Sequence, residues 1–274
     1  MIPSPVIWRP TEDFLQNSNV ARFMRRHGLK SYQDLLAWSV ADVPRFWKLI
    51  LEDMGVEWYR PYDEVLDMSR GFEWAKWFAG GEINIVHNCI DRHLRDGKGA
   101  RTALVWEGDG GEVRRFTYAE LSAEVARLAG AMRAMGLKPG DAAGIFMPML
   151  PETVFAFFAC LKIGAVVIPI FSGFGPEAVG ERLAHAEARL VFTADGGMRR
   201  GKETPVKPLL DKALDAAEES YSLQVQDYRL SLVNNLDVLE ALQTLENARR
   251  DAIHGRREAK RLYWQLRAAT GETR

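Results

Sequence analysis

The sequence predicts an α/β fold: a partial doubly wound, mostly parallel sheet, with an α-helical N-terminal wrap before it and a long helical C-terminal tail after it. Three observations carry this reading. From Asn84 to about Thr193, stretches of helical and of strand character alternate one by one, the pattern of a parallel sheet with right-handed crossovers. Within that stretch, Leu161 to Phe171 turns a helix end into an apolar strand and stops at Ser172-Gly173-Phe174-Gly175, a glycine-rich crest of the kind at which an open parallel sheet places its ligand. After about Ala213 glycine and proline all but vanish, and Leu236, Leu239, Leu242 and Leu245 fall three apart, which reads as one long amphipathic helix.

Taken in order, residues 1–83 form the wrap. Seven of the eight tryptophans lie at or before Trp106, and Phe14, Phe23, Leu35, Leu36, Phe46, Trp47, Ile50, Trp58, Trp74, Trp77 and Phe78 give the segment an aromatic, helical texture. Short helices joined by turns at Val43-Pro44 and Arg60-Pro61 fit it better than strands do, up to about Gly81. Residues 84–213 form the α/β part. A helix opens near Asn84, and Ala103 to Trp106 pairs with Val113 to Phe116 across Gly108-Asp109-Gly110-Gly111. Thr117 caps the next helix with Glu120 completing a capping box, Leu121, Val125, Leu128, Ala129 and Met132 repeat at helical spacing, and Gly136 ends it. Then follow a strand over Asp141 to Phe146, a helix from Pro151 to Lys162, a strand over Ala165 to Phe171, a helix from Pro176 to Ala186 and a strand over Arg189 to Thr193. Residues 214–274 are the tail, with a shorter helix from Leu209 to Tyr228, a break at Asn234-Asn235 and the leucine-spaced helix beyond.

Composition excludes several classes. A formal net charge of −1 over 274 residues gives no field that recruits nucleic acid or an anionic membrane. The start, Met1-Ile2-Pro3-Ser4-Pro5 with Glu12 and Asp13 close behind, lacks a basic and then apolar leader, so a cytoplasmic setting is expected. The longest apolar candidate, Val154 to Phe174, is cut by Lys162, Gly164 and Pro169, so no membrane span is expected. Cys89 and Cys160 stand far apart without a CxxC, which implies neither a disulfide framework nor a zinc ribbon.

Three constellations imitate chemistry. His87, Cys89, Asp91 and His93 are all ligand types, but a spacing of two on a helix turns side chains to opposite faces. The expectation is Cys89 in the core, with Asp91 and His87 near the surface, and no metal. Gly196 to Lys202 fits GxxxxGK after a strand, yet Glu203 stands where Ser or Thr should hold magnesium, and Pro205 and Pro208 oppose a regular helix there. Arg199, Arg200 and Lys202 are then either a cationic rim for an isolated phosphate or a solvated basic turn. Gly173-Phe174-Gly175 is not GxGxxG, since Gly180 comes too late. It is either a tight strand-to-helix turn or a place of close backbone approach to a ligand.

These pieces resemble the N-terminal part of adenylate-forming, AMP-dependent acyl-CoA synthetases, the acetyl-CoA synthetase-like branch in particular, over residues 1–213. The resemblance is carried by Trp77-Phe78-Ala79-Gly80-Gly81-Glu82-Ile83-Asn84, Asn88-Cys89-Ile90-Asp91-Arg92-His93, Phe116-Thr117-Tyr118-Ala119-Glu120-Leu121 and Met147-Pro148-Met149-Leu150-Pro151-Glu152. It continues through Ala159 to Ala165, Phe171 to Ala178 and Arg199-Arg200-Gly201-Lys202. That family joins a carboxylate to AMP using ATP and magnesium, then passes the acyl group to the thiol of coenzyme A. The resemblance implies that Gly173, Arg199 and Lys202 belong to the coenzyme A surface, with backbone facing the nucleotide and cations facing its 3'-phosphate. Arg200 departs from the small residue of the family, and Lys202 stands in for an arginine, a point charge in place of a bidentate fork.

The family's Ser/Thr/Gly-rich phosphate loop ending in Pro-Lys-Gly, its Tyr-Gly-x-Thr-Glu segment, its ribose aspartate, its hinge and its C-terminal lid lysine find no match in these residues. The resemblance therefore implies no catalytic residue and no metal ligand here, and adenylation, which relies on positioned groups around the phosphates, is expected to be absent. Residues 217–272 resemble instead the closing helical segment of TolC-type outer-membrane efflux proteins, through Glu218-Glu219-Ser220-Tyr221, Tyr228 to Ala241, Thr244 to Arg249 and Leu266 to Gly271. An ordinary amphipathic hairpin is the alternative. The leading expectation is a truncated synthetase joined near residues 211–220 to a foreign tail and inactive by itself. The alternatives are a remnant that binds coenzyme A or self-associates through an exposed sheet edge or the tail, and an efflux-protein fragment.

Overall fold

The structure, a computed structural model, describes residues 8–199 and 201–216. They fall into two units, one ending at Ile83 and the other beginning at Asn84. The expected tail helices beyond residue 216, and the efflux likeness with them, lie outside the described residues.

In the first unit every α-helix among the described residues starts at a side-chain cap. Thr11 caps α1 (Glu12–Asn17), Ser18 caps α2 (Asn19–Arg26), and Ser31 with Asp34 makes a capping box for α3 (Tyr32–Ala41). Asp42 caps α4 (Val43–Asp53), and Pro44 sits in its first turn, where its missing N–H costs nothing. The helices meet around an aromatic cluster in which Phe23 lies 6.0 Å from Trp38 and 6.2 Å from Phe46, with His27 stacked on Trp38 at 5.5 Å. The expectation of helices alone up to Gly81 needs correcting. β1 (Glu64–Asp67) and β2 (Lys76–Ala79) pair antiparallel, with Leu66 opposite Trp77. Four-residue strands are too short to show a period-2 pattern, and each is held by its partner more than by its own alternation.

The second unit opens with a helix over residues 85–95 whose middle, His87–Asp91, is a π turn that runs into α5 (Arg92–Arg95). Cys89, expected in the core, is exposed, while Val86, Asn88 and Ile90 are buried. A π turn carries more residues per turn than an α-helix, so the residue three beyond Val86 rotates further off the core face. Next comes a hairpin of β3 (Thr102–Glu107) and β4 (Val113–Thr117), with Thr102 opposite Thr117. The capping box forms as the sequence indicates: Glu120 N–H donates to Thr117 Oγ1 at 3.2 Å, and Thr117 N–H donates to Glu120 Oε2 at 2.8 Å. It starts α6 (Tyr118–Ala134), which buries Leu121, Val125, Ala129 and Met132.

The central sheet has the order β6-β5-β7 and is parallel throughout, from β5 (Ala142–Phe146), β6 (Val166–Pro169) and β7 (Leu190–Thr193). The crossovers are α7 (Pro151–Ile163) and α8 (Pro176–His185). The chain moves from β5 to one neighbour and then returns past β5 to the other, so right-handed crossovers place α7 and α8 on opposite faces. β5 is buried along its whole length and alternates between two cores. Ala143 packs with Ala129, Met132, Ala159, Cys160 and Ile163 of α6 and α7, and Phe146 packs with Val179 and Leu183 of α8. Gly144 faces α8, and a Cβ there would come within 2.6 Å of Leu183 Cδ2. Burial pushes the Cys160 thiol up to about 11, so it serves as a small apolar filler.

After β7 the chain forms a further hairpin, β8 (Gly196–Arg199) and β9 (Lys202–Pro205), with Arg199 paired to Lys202. Residues 207–216 are helical. Pro208, expected to oppose a helix, lies in the first turn of this one, the position that tolerates it. Val206, Leu210 and Ala213 join the α8-side core.

Candidate functional site

Three parallel strands bring three loops to one edge, because their carboxyl ends point the same way. β5 leads into Met147–Leu150, β6 into Phe171–Gly175, and β7 through Ala194-Asp195 into the β8–β9 hairpin. This is the side on which open α/β sheets receive ligands.

Each loop is fixed by a specific contact. Trp106 Nε1 donates to the Met149 carbonyl at 2.6 Å, tying the loop after β5 to β3. The hairpin backbone lies against the same loop at Gly197, where a Cβ would come within 2.6 Å of Pro148 Cγ, so only glycine permits that approach. The hairpin's root closes where Val206 N–H donates to the Asp195 carbonyl at 3.0 Å. The crest after β6 is a turn closed by Phe174 N–H donating to the Phe171 carbonyl at 3.0 Å. Its two rings meet edge to face at 5.7 Å, and the Arg182 guanidinium lies 4.4 Å over Phe174.

Among the residues singled out from the sequence, Arg199 and Lys202 come together as a cross-strand pair, and Lys202 and Gly173 are exposed. Arg200 lies outside the described residues. Gly173 sits on a different strand end, since β6 and β7 are separated by β5. The GxxxxGK segment is a β-hairpin, a geometry that aims no helix N-terminus at a triphosphate. Among the described residues no group of three or more His, Cys, Asp and Glu side chains gathers as a metal site. Lys202 fits an anionic group in charge, and Gly173 leaves its backbone accessible. Among the described residues no such fit to ATP and magnesium is found.

Between β5 and β7, at the point where the strand order reverses, a cleft of about 190 Å³ opens, lined by Leu128, Met147, Phe155, Ala156, Phe192 and Thr193 together with Glu124, Arg127 and Glu152. Its charged groups are already engaged, Arg127 with Glu124 and Glu152 with Arg114 at 2.9 Å. It is smaller than the ~300–1,000 Å³ of ordinary small-molecule pockets. Sequence reading had no route to this cleft, because its walls come from α6, α7 and β7, far apart along the chain.

Comparison with known proteins decides the family. Residues 91–256 match the family described as AMP-binding enzyme, and residues 32–89 match the acetyl-coenzyme A synthetase N-terminus. The chain belongs to the AMP-binding enzyme family. It is 39% identical over 215 residues to acetyl-coenzyme A synthetase of Pasteurella multocida, covering 78% of this chain and 32% of that protein. It is 41% identical over 207 residues to acetyl-coenzyme A synthetase of Rhizobium rhizogenes, covering 74% of this chain and 31% of that protein. The solved acetoacetyl-CoA synthetase from Streptomyces lividans superposes with a TM-score of 0.67 at 28% identity, over 75% of this chain and 32% of that one. The chain thus spans about a third of the length of the curated relatives it matches. Among the described residues no helix is long and apolar enough to cross a membrane.

Proposed function

We propose that this chain is the N-terminal, coenzyme A-facing part of an acyl-CoA synthetase, and that its 274 residues by themselves do not form the acyl-adenylate. The observation that carries the first half is the AMP-binding family match over residues 91–256 on a sheet whose carboxyl edge presents Gly173 and the Arg199–Lys202 pair. In this reading residues 1–83 are the family's N-terminal region and residues 84–213 part of an AMP-dependent synthetase domain. The backbone at Gly173 faces the coenzyme A nucleotide, and Arg199 with Lys202 draws its 3'-phosphate.

The second half rests on what adenylation requires. A carboxylate oxygen attacks the α-phosphorus of ATP and pyrophosphate leaves. The thiol of coenzyme A then attacks the acyl carbon and AMP leaves. Charge develops on phosphate oxygens in the first step and must be met by positioned donors and cations. The family's motifs for that task are missing from this sequence.

The test incubates the purified chain with acetate, ATP, magnesium and coenzyme A. No acyl-CoA above background is expected, and its appearance would overturn the second half. Calorimetry with coenzyme A alone is expected to show weak binding, and a flat titration would overturn the assignment of Gly173, Arg199 and Lys202. A second reading is self-association: among the described residues β6 and β7 are open edges of the central sheet, which invite strand pairing between copies. A single monomeric species in sedimentation would remove it.

A further inference from the structure

We propose that Arg182 is a positioning residue for the coenzyme A crest, acting through Phe174 to hold the Gly173 turn in one shape. This deepens the coenzyme A reading above and rests on it. The turn that carries Gly173 has Ser172 and Gly173 at its centre and a backbone hydrogen bond, Phe174 N–H to the Phe171 carbonyl at 3.0 Å, across its mouth. Gly173 itself contributes no side chain to fix it, so its shape depends on what holds its ends.

Phe174 is one of those ends. It packs on the core that includes Ile170, Val179 and Leu183, and its ring also meets the Phe171 ring at 5.7 Å and the Arg182 guanidinium at 4.4 Å. That guanidinium lies nearer its ring than the others found over aromatic rings among the described residues, at 5.1, 5.6 and 5.8 Å. It is also tethered, since Arg182 Nη1 donates to the Ala178 carbonyl at 2.7 Å, one helical turn back. A cation held over a ring by its own helix clamps that ring, and through it the turn leading into the helix. Arg182 therefore serves the crest from behind, and Lys202 and Arg199 supply the charge that draws phosphate.

The experiment compares the full chain with Arg182→Ala, Arg182→Lys, Phe174→Leu, the Arg182→Ala/Phe174→Leu double variant and Lys202→Gln. Amide exchange without ligand is read first. Arg182→Ala and Phe174→Leu are each expected to speed exchange at residues 172–175 by roughly two- to fivefold, the double variant no more than either, with β5 amides unchanged as the control for folding. Coenzyme A titrations then give Kd and its salt dependence. The Kd is expected to weaken by roughly the same factor in both single variants without adding in the double. Lysine does not restore it, because an ammonium lacks the planar stacking surface. The salt dependence is expected to stay as in the unaltered chain for Arg182→Ala and to fall for Lys202→Gln. A reduced salt dependence in Arg182→Ala, additive effects, or unchanged exchange at the turn would overturn the proposal. If the unaltered chain binds no coenzyme A, the coenzyme A reading fails, and the exchange result alone decides whether Arg182 holds the turn.

Discussion

The two units solve the same problem, burying apolar side chains, with opposite means. The unit beginning at Asn84 closes two cores on either face of β5, and Val125, Met132, Ala143, Phe146, Ala159, Cys160 and Val179 have no exposure at all. The unit ending at Ile83 is richer in large aromatic residues, yet Phe23 is its one fully buried hydrophobic among the described residues, and Phe14, Trp47, Trp74 and Trp77 remain substantially exposed. Aromatic content is therefore a poor guide to core formation. What makes a core is a sheet with two faces and helices to cover both, and the second unit alone has that geometry.

The largest expected effect is at Phe146. Truncation to alanine removes a ring from a packed site that cannot relax, and should cost about 3–5 kcal/mol, read as a shift in the denaturation midpoint of the second unit's amides. Phe23→Ala should cost less, about 2 kcal/mol, because the neighbours Trp38 and Phe46 lie near solvent and can close over the gap. Equal losses at the two positions would break the comparison. The capping boxes sharpen it from the other side, since a cap acts locally whatever the core. Thr117→Ala and Ser31→Ala should each cost about 1 kcal/mol, and a clearly larger value at Thr117 would mean that the cap draws on the core.

The smallest effects are those of pH, and they have definite signs. The Thr117 N–H and hydroxyl hold the Glu120 carboxyl below its ordinary range. Its contribution is thus complete above the ordinary carboxylate pKa and is lost as pH falls through the lowered one. Thr117→Ala should flatten that acid limb in a urea-midpoint profile. His93 is shifted down from 6.5 chiefly by burial, assisted by Arg92 and Lys98, with its ring 4.6 Å from that of Tyr118. The folded chain keeps it neutral while the unfolded chain takes up a proton, so stability should decline as pH falls below about 6.5. His93→Gln should remove that slope, and a slope unchanged by the substitution would assign it to other groups.

Much of the second unit was legible because local signals and tertiary packing agree there. The Thr117–Glu120 box, the Pro151 and Pro176 helix starts and the apolar runs at β5, β6 and β7 place each element within one to three residues of where the structure has it. The failures share one cause, which is information held by a distant or unusual backbone. β1 and β2 are recognisable only as a pair. Cys89 is turned outward by a π turn that side-chain spacing does not announce. The hairpin at Gly196 to Pro205 was hidden by its likeness to a phosphate loop, although Glu203 and Pro205 argued against one. At the crest the run from Phe171 to Gly175 was readable, but the hold of Arg182 on Phe174 was not, since eight positions and a loop-to-helix junction separate them.

Asn84 adds a consequence in time. Its side-chain oxygen accepts from Val86 N–H at 2.9 Å, starting the helix beside it, while its amide nitrogen donates to the carbonyls of Leu161 and Lys162 at 3.1 and 3.3 Å. Asp91, on the same helix, pairs with Lys162 at 3.0 Å. The first task can be completed as soon as a few residues leave the ribosome, but the second waits for the end of α7, 77 and 78 residues later. A nascent chain therefore carries the residues of this helix undocked while the whole of β3 to α7 is synthesised, and loop closure over that span makes docking a late event. The residue that opens the second unit thus completes its hydrogen bonds only after α7 has been made.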